Sequence, residues 1–551
     1  MSLRSANGSH GPLLLLLALV TLTFIGAGLG DRTAVPYRDG TSPQVFPENA
    51  LVADGTPITI RSTSGGHIWL KDGMDAAPAE YGSEHTFPIG PDVMHASRTL
   101  AIPLAMQWRH PKPGLPAARV LRAAEMDALG RSGPNITRTF LFQDHAPLPV
   151  ISIVADPGAL FHPDSGIMVV GNALLHGKIT GDASYTRDPR WWKYPGNFMG
   201  RGKEWERKAH LEFITAEGER AGSMPVAVRI HGQMTRGFPQ HALRLIFEDP
   251  VVPWAREEHG RHATMVLRAA GNDQVKAMMR DAFQHRSCAG LPFATSPAIP
   301  CVVYINGAYW GVHHLRDRLD HEELALRHGL PAREIAILED QAELYRGDEA
   351  AVREFRQLLH MAEQSEGKDA THMDRIQSAL DVDGFLTYMA SQMILGNMDW
   401  PEQNVRYWKF TGTPKEAPAD GRWYFIMGDS DLSFGANAPA SADPFLRVRG
   451  SQAPVARLFR ALMRWPRYQA MFTERMDMLL DGPLSSESLL RHLDDMVRLM
   501  EGEMDRHTAR WRKPADKARW LREVEVMREL ARERGRHVRE HLSRNQIPGA
   551  V

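Results

Sequence analysis

Two strongly β-forming runs near the last third of the chain constrain its folding more than any other feature. They are Val405-Arg406-Tyr407-Trp408-Lys409-Phe410 and Trp423-Tyr424-Phe425-Ile426-Met427, separated by a segment rich in Gly, Pro and Asp. Aromatic and β-branched residues bounded by turn residues specify an antiparallel hairpin. The open end of a two-stranded hairpin brings both chain ends together. Asp399 and Asn404 precede the first strand, and Asp429 and Asp431 follow the second, so four oxygen-bearing side chains are expected to converge. Such a set suits a hard divalent cation, Mg²⁺ or Mn²⁺. Asp and Asn also cap turns at strand ends. Each residue alone is explained that way, whereas their joint spacing favours a metal or nucleotide site.

The remaining chain reads as α+β. With 551 residues, 43% hydrophobic and 24% charged, it has the composition of a globular protein of two to four domains. A net charge of −1 supplies no field to recruit nucleic acid or an anionic membrane. Arg4 precedes the apolar run Leu13 to Ile25 and a small-residue stretch at Gly26 to Gly30, so residues 1–30 read as a signal peptide or N-terminal anchor. The chain is therefore expected to be exported, whether periplasmic, at the cell surface or secreted, with a membrane involved only through that anchor. Residues 31–49 read as a linker. Residues 50–146 read as a small β-sandwich, with strands at Pro57–Arg61, His67–Lys71, Thr99–Ile102 and Thr137–Phe142.

A strand-rich unit follows over residues 147–320. Its strands are placed at Leu148–Val154, Gly166–Val170, His210–Ile214, Val226–His231, Ala242–Phe247 and Met265–Arg268, with a long loop at 173–206. A helix is expected from about Gln274 to Cys288, and a hairpin at Cys301–Ile305 and Tyr309–Arg316 turning on Asn306-Gly307. Beyond Asp320 the chain reads as helical, apart from the aromatic hairpin. Residues 321–451 hold that hairpin and 452–551 form a supporting helical subdomain. The two cysteines, Cys288 and Cys301, either close a short loop as a disulfide or stand as two buried thiols.

Asp399 and Asn404 have the Asp-x-x-x-x-Asn spacing of a kinase catalytic loop, in which Asp accepts the substrate hydroxyl proton and Asn binds metal. Upstream, the block from Arg229 to Leu245 contains a glycine turn between two strands. Arg229, Thr235, Arg236 and Arg244 are its candidate phosphate-binding side chains. Arg268 to Asp273 and Arg280-Asp281 read as an internal Arg–carboxylate pair or, with more weight, as helix capping by Asn272 or Asp273.

Together these segments resemble the spore coat protein H (CotH) kinase family over about residues 148 to 540. The match also draws on Tyr304-Ile305-Asn306-Gly307, Tyr309-Trp310-Gly311 and Asp429-Ser430-Asp431-Leu432-Ser433-Phe434-Gly435. The resemblance implies an atypical protein-kinase-like fold, with a β-rich N-lobe at 147–320 and a helical C-lobe at 321–451. It implies metal-dependent transfer of phosphate from ATP to protein Ser or Thr, with Asp399 catalytic and Asp429 a metal ligand. His241 stands where family members carry a phosphate-contacting Lys, which leaves Arg236 or Arg244 to compensate. The segment ahead of this region resembles a chitobiase C-terminal-type sandwich. A protein substrate or surface partner is expected, and no nucleic acid. The alternative is a non-catalytic adhesion scaffold. An esterase reading of Gly428-Asp429-Ser430 fails because no Asp-x-x-His follows Ser430.

Overall fold

A computed structural model describes residues 41–127, 129–145, 147–179, 190–255, 260–365, 367 and 370–544. The leader at 1–30 and the first part of the linker lie outside the described residues. The chain divides into two compact units.

The smaller unit comprises 41–47, 57–89 and 121–137 among the described residues. Its strands are β1 (Gln44–Phe46), β2 (Thr56–Arg61), β3 (His67–Asp72), β4 (Ala79–Tyr81), β5 (Glu84–Ile89), β6 (Arg119–Met126) and β7 (Ile136–Phe140), some of which run past the unit's edge. They form two sheets, ordered β1-β2-β5 and β4-β3-β6-β7. Alternation places Ile58, Ile60, Ile68 and Leu70 inward. The buried Glu125 carboxylate accepts from Thr63 N at 2.5 Å, Thr63 Oγ1 at 2.8 Å and Thr41 Oγ1 at 2.7 Å. The span 50–146 is thus not one continuous module. Residues 90–120 belong to the larger unit, and the strand expected at Thr99–Ile102 is the end of helix α1 (Val93–Leu100). Asp92 caps that helix by accepting from His95 N, and this local cap outweighs the short apolar run. The linker, too, holds β1, paired with β2 through Val45↔Ile60.

The larger unit begins with a closed barrel, strand order β10-β11-β12-β14-β13-β8-β9. Its strands are β8 (Val150–Ala155), β9 (Arg207–Ile214), β10 (Arg220–His231), β11 (Ala242–Val251), β12 (His262–Arg268), β13 (Ala298–Ile305) and β14 (Ala308–Asp317). Helices α2 (Pro157–Phe161) and α3 (Asn172–Ile179) follow β8, and α4 (Arg280–Ser287) follows β12. Leu211, Val228, Ile230, Leu243, Leu245, Met265, Leu267 and Leu315 fill the interior. Three expectations differ here. Gly166–Val170 is a series of turns, and the 173–206 stretch holds α3 and three 3₁₀ turns among its described residues. The helix expected from Gln274 starts later, because a 3₁₀ turn (Gly271–Val275) comes first and Asp273 accepts from Arg280 N at 2.9 Å to begin α4.

The chain continues as α5 (His321–His328), β15 (Ile335–Glu339), β16 (Glu343–Arg346), α6 (Glu349–Gln364), α7 (Ala370–Ala379), α8 (Val382–Leu395), β17 (Val405–Phe410) and β18 (Tyr424–Met427). It closes with α9 (Leu446–Gly450), α10 (Pro454–Leu462), α11 (Pro466–Asp481), α12 (Ser486–Met500), α13 (Met504–Trp511) and α14 (Lys517–Arg544). The β17–β18 hairpin is the one read from sequence, but it is half of a four-stranded sheet, β16-β15-β17-β18. Apolar Ile335–Leu338 escaped notice as a strand because its partner β17 lies far along the chain, at Ile337↔Trp408. Helix α8 is buried on nearly every face and forms the spine of this half. Both cysteines are free. Cys288 packs in the helical core and Cys301 in the barrel interior, so the disulfide reading is replaced by two separately buried thiols. Among the described residues no helix is long and apolar enough to cross a membrane.

Candidate functional site

Helix α8 ends on Gly396 in the left-handed conformation, and the loop that follows is folded by Asn397. Its Oδ1 accepts from Asp399 N at 3.2 Å and Trp400 N at 3.4 Å, a side-chain turn that aims Asp399 outward. Arg447 of α9 pins the other side, donating to Trp400 O at 2.6 Å and Glu402 Oε2 at 2.9 Å. Asn404 sits at φ 62°, a conformation Asn tolerates, and its Nδ2 donates to Asp399 Oδ2 at 3.3 Å. The pairing Val405↔Met427 then sets Gly428 against Asn404. A Cβ on Gly428 would lie 2.0 Å from Asn404 O, so only glycine allows this approach. Burial and the neighbouring Asp429 charge push the Asp399 carboxyl up, against the pull of Arg447. Asp399, Asn404 and Asp429 are therefore brought together at the hairpin mouth.

Asp431 faces a different task. Arg268, the last residue of β12, donates to Asp429 Oδ1 at 2.6 Å and Asp431 Oδ2 at 3.2 Å, and its Nε lies 3.3 Å from Asp281 Oδ2. Asn272 adds its backbone N–H to Asp431 Oδ2 at 2.7 Å and its Nδ2 to Oδ1 at 3.2 Å. Gly271 makes room, since a Cβ there would fall 2.0 Å from Asp431 Oδ2. Both oxygens of Asp431 are thus committed inward, and burial with the adjacent Asp429 charge pushes its pKa well up. Asp431 positions the loop and is not free to join a cation. Asp399, the Oδ1 of Asn404 and the Oδ2 of Asp429 keep lone pairs available, so these three fit a hard cation.

The same guanidinium ties the loop to α4. Burial disfavours charge on Asp281, yet Arg268 and Arg316 hold its carboxylate below the usual range, and it accepts from Ser430 N at 3.0 Å. On Arg268, burial is outweighed by Asp281, Asp429 and Asp431, which push its pKa further up. His285 receives Ser296 N on Nδ1 at 3.0 Å, which leaves its Nε2–H for Gly428 O at 3.1 Å. Burial pushes that imidazole down to about 3, so it acts as a neutral hydrogen-bonding strut.

Beside this node the outer barrel face carries a row of arginines. Cross-strand pairs Arg229↔Arg244, Arg244↔Val266 and Val266↔Arg316 put Arg229, Arg244 and Arg316 on the same side as Arg268. Arg229 pairs with Glu206 at 3.3 Å, Arg244 lies 3.9 Å from Asp320, and Arg318 reaches Asp320 and the Tyr345 hydroxyl. Burial and mutual repulsion lower the pKa of Arg229, burial lowers that of Arg244, and burial brings Arg318 to about 10. The buried Nε of Arg244 has no hydrogen-bond partner among the described residues, so this guanidinium is only partly engaged.

Three sequence candidates lie elsewhere. Arg236 is buried and clamps main chain, donating to Gly232 O at 2.6 Å and Gly200 O at 2.7 Å. His241 is fully buried beside Phe198, 3.1 Å from Met168 O, and burial lowers its pKa to about 4. Thr235 closes the turn under Gly232, where its Oγ1 would lie 2.6 Å from a Cβ. His241 immediately precedes β11 and falls on the alternation that buries Leu243 and Leu245, so it faces away from the side that carries Arg244. Sequence reasoning missed Arg316, Arg318, Asn397 and Arg447. The spacing Arg316-x-Arg318 at the end of the second hairpin strand was the available signal for two of them. A further cluster, His262, Asp317 and Glu323, has ligand-like spacing, but Arg327 pairs with Asp317 and donates to Glu323 at 3.0 Å, so a cation already meets its charge.

No curated protein matches the chain. The sequence model of one family, described as CotH kinase protein, matches residues 228–538, from the second half of β10 to the last turns of α14 and more than half of the chain. The chain belongs to the CotH kinase protein family.

Proposed function

We propose that this protein is an exported, metal-dependent phosphotransferase that moves the γ-phosphoryl group of ATP to Ser or Thr hydroxyls of surface or envelope proteins. The reading rests on one observation: Asp399, Asn404 and Asp429 meet at the mouth of the β17–β18 hairpin, next to a barrel face rich in arginine. The barrel would act as the nucleotide-holding lobe and the helical half as the acceptor-holding lobe of a kinase-like fold.

The acceptor hydroxyl oxygen forms the new bond to phosphorus as the bond to the β–γ bridging oxygen breaks, and ADP leaves. Asp399 takes the hydroxyl proton, with Asn404 holding one of its oxygens in place. Arg229, Arg244 and Arg318 offer guanidinium forks to the phosphate chain, the role that neither Arg236 nor His241 is placed to fill. Arg268 keeps Asp429 oriented by occupying Oδ1, which leaves Oδ2 without a hydrogen bond among the described residues. Mg²⁺ or Mn²⁺ held by Asn404 and Asp429 would neutralise charge on the transferring group.

The test uses purified full-length chain. Mn²⁺ or Mg²⁺ with ATP is expected to raise the melting temperature, and labelled ATP is expected to mark the protein itself or casein. Asp429→Asn abolishes the metal-dependent shift. Asp399→Asn keeps the shift and lowers transfer by about 10³-fold or more, on the scale of lost proton acceptance combined with misorientation. If the native chain shows neither shift nor labelling, it is a non-catalytic scaffold binding a surface partner.

A further inference from the structure

Beside the 399–404 loop, α6 and the start of α10 enclose a pocket of about 320 Å³. That is the low end of the range for ligand sites, about 300–1,000 Å³, and suits one or two side chains. Phe355 and Leu359 give it an apolar floor. At its wall Arg457 donates to Glu363 Oε1 at 2.8 Å and Oε2 at 2.7 Å, so that pair is self-satisfied and neutral. Arg356 and, one helical turn on, His360 are exposed on the pocket rim. Among the described residues Arg356 has no carboxylate partner, so the pocket carries one uncancelled positive charge above an apolar base.

The pocket is coupled to the candidate site by position. Gln341 lines it and donates to Glu402 O at 3.4 Å, inside the loop that presents Asp399. Arg447, which holds Trp400 O, lies on α9, immediately before the Gln452 and Pro454 that form another wall. We propose that this pocket binds a peptide side chain with a methylene stem and a terminal oxyanion, docking an acidic segment of the protein acceptor beside Asp399. The docking role rests on the phosphotransferase reading, while the peptide binding itself does not.

The experiment measures fluorescence anisotropy of three labelled peptides against the full chain: a serine flanked by glutamates, its glutamine counterpart, and a glutamine peptide carrying phosphoserine. One charge-assisted contact predicts about tenfold tighter binding of the glutamate or phosphoserine peptide than of the glutamine peptide, weakened by salt. Arg356→Glu is expected to remove that preference, and Arg353→Glu, exposed on the same helix outside the pocket, to keep it. A preference for phosphoserine alone assigns the oxyanion as phosphate, and one for glutamate assigns it as carboxylate. Equal binding of all three peptides, or a preference that survives Arg356→Glu, overturns the proposal. The metal–ATP melting shift, run on the same variants, separates the two ideas. Its loss with peptide preference intact removes the phosphotransferase reading alone, and its presence without peptide preference removes the pocket alone.

Discussion

Gly428 and Asn404 show how much of the site depends on one missing side chain. A Cβ on Gly428 would sit 2.0 Å from a backbone oxygen that the β17–β18 register holds in place. Gly428→Ala is therefore expected to cost about 1–3 kcal/mol and to remove the metal–ATP melting shift. Gly450→Ala, where nothing lies within 4 Å, should be neutral in both measurements. Glu125 in the smaller unit gives a pH-dependent counterpart. Burial alone would raise its pKa, but hydrogen bonds from Ser64, Thr41 and Thr63 bring it from 4.5 down to about 2. Because the folded pKa is depressed, its contribution is present above pH 4.5 and fades as pH falls toward 2. Urea denaturation of native and Glu125→Gln chains should differ at pH 6 and draw together as pH falls to about 2.

At the scale of elements, Arg268 joins β12, α4 and the segment after β18, and Asp281 joins Arg268, Arg316 and Ser430. Removing the charge of Asp281 leaves two buried guanidiniums short of an anion. Asp281→Asn is thus expected to lower stability by about 3–5 kcal/mol in denaturant titration. The hairpin and its four polar residues were legible because strand propensity and turn residues act locally. The fate of Asp431 was not, since its partners Arg268 and Asn272 lie about 160 positions away and no local pattern encodes the pairing. Arg229 and Arg244 were legible as candidate phosphate-binding residues on two strands, while their shared face follows from the Arg229↔Arg244 pairing. Arg236 misled because it sits in a 3₁₀ turn and is spent on main-chain carbonyls. His241 misled because the resemblance suggested its role, whereas the alternation of β11 puts it with buried Leu243 and Leu245.

At the scale of the whole molecule, the barrel and the helical half have separate apolar cores, and each cysteine belongs to one of them. The sequence places the two thiols 13 positions apart, which left a loop-closing disulfide open. The fold answers differently, because the chain between them passes from helix α4 in one core to strand β13 in the other. Burial pushes the Cys288 thiol up to about 12 against a hydrogen bond with Ser391, and it also raises Cys301. Neither is ionised near pH 8, and neither is open to a reagent. Native protein purified without reductant should therefore resist iodoacetamide at pH 8 and melt at the same temperature with or without dithiothreitol. In denaturant the same sample should take up two alkyl groups. Uptake of none unless reductant is added first would mean a bridge across the two cores, and with it a different packing of α4 against the barrel that positions Asp281.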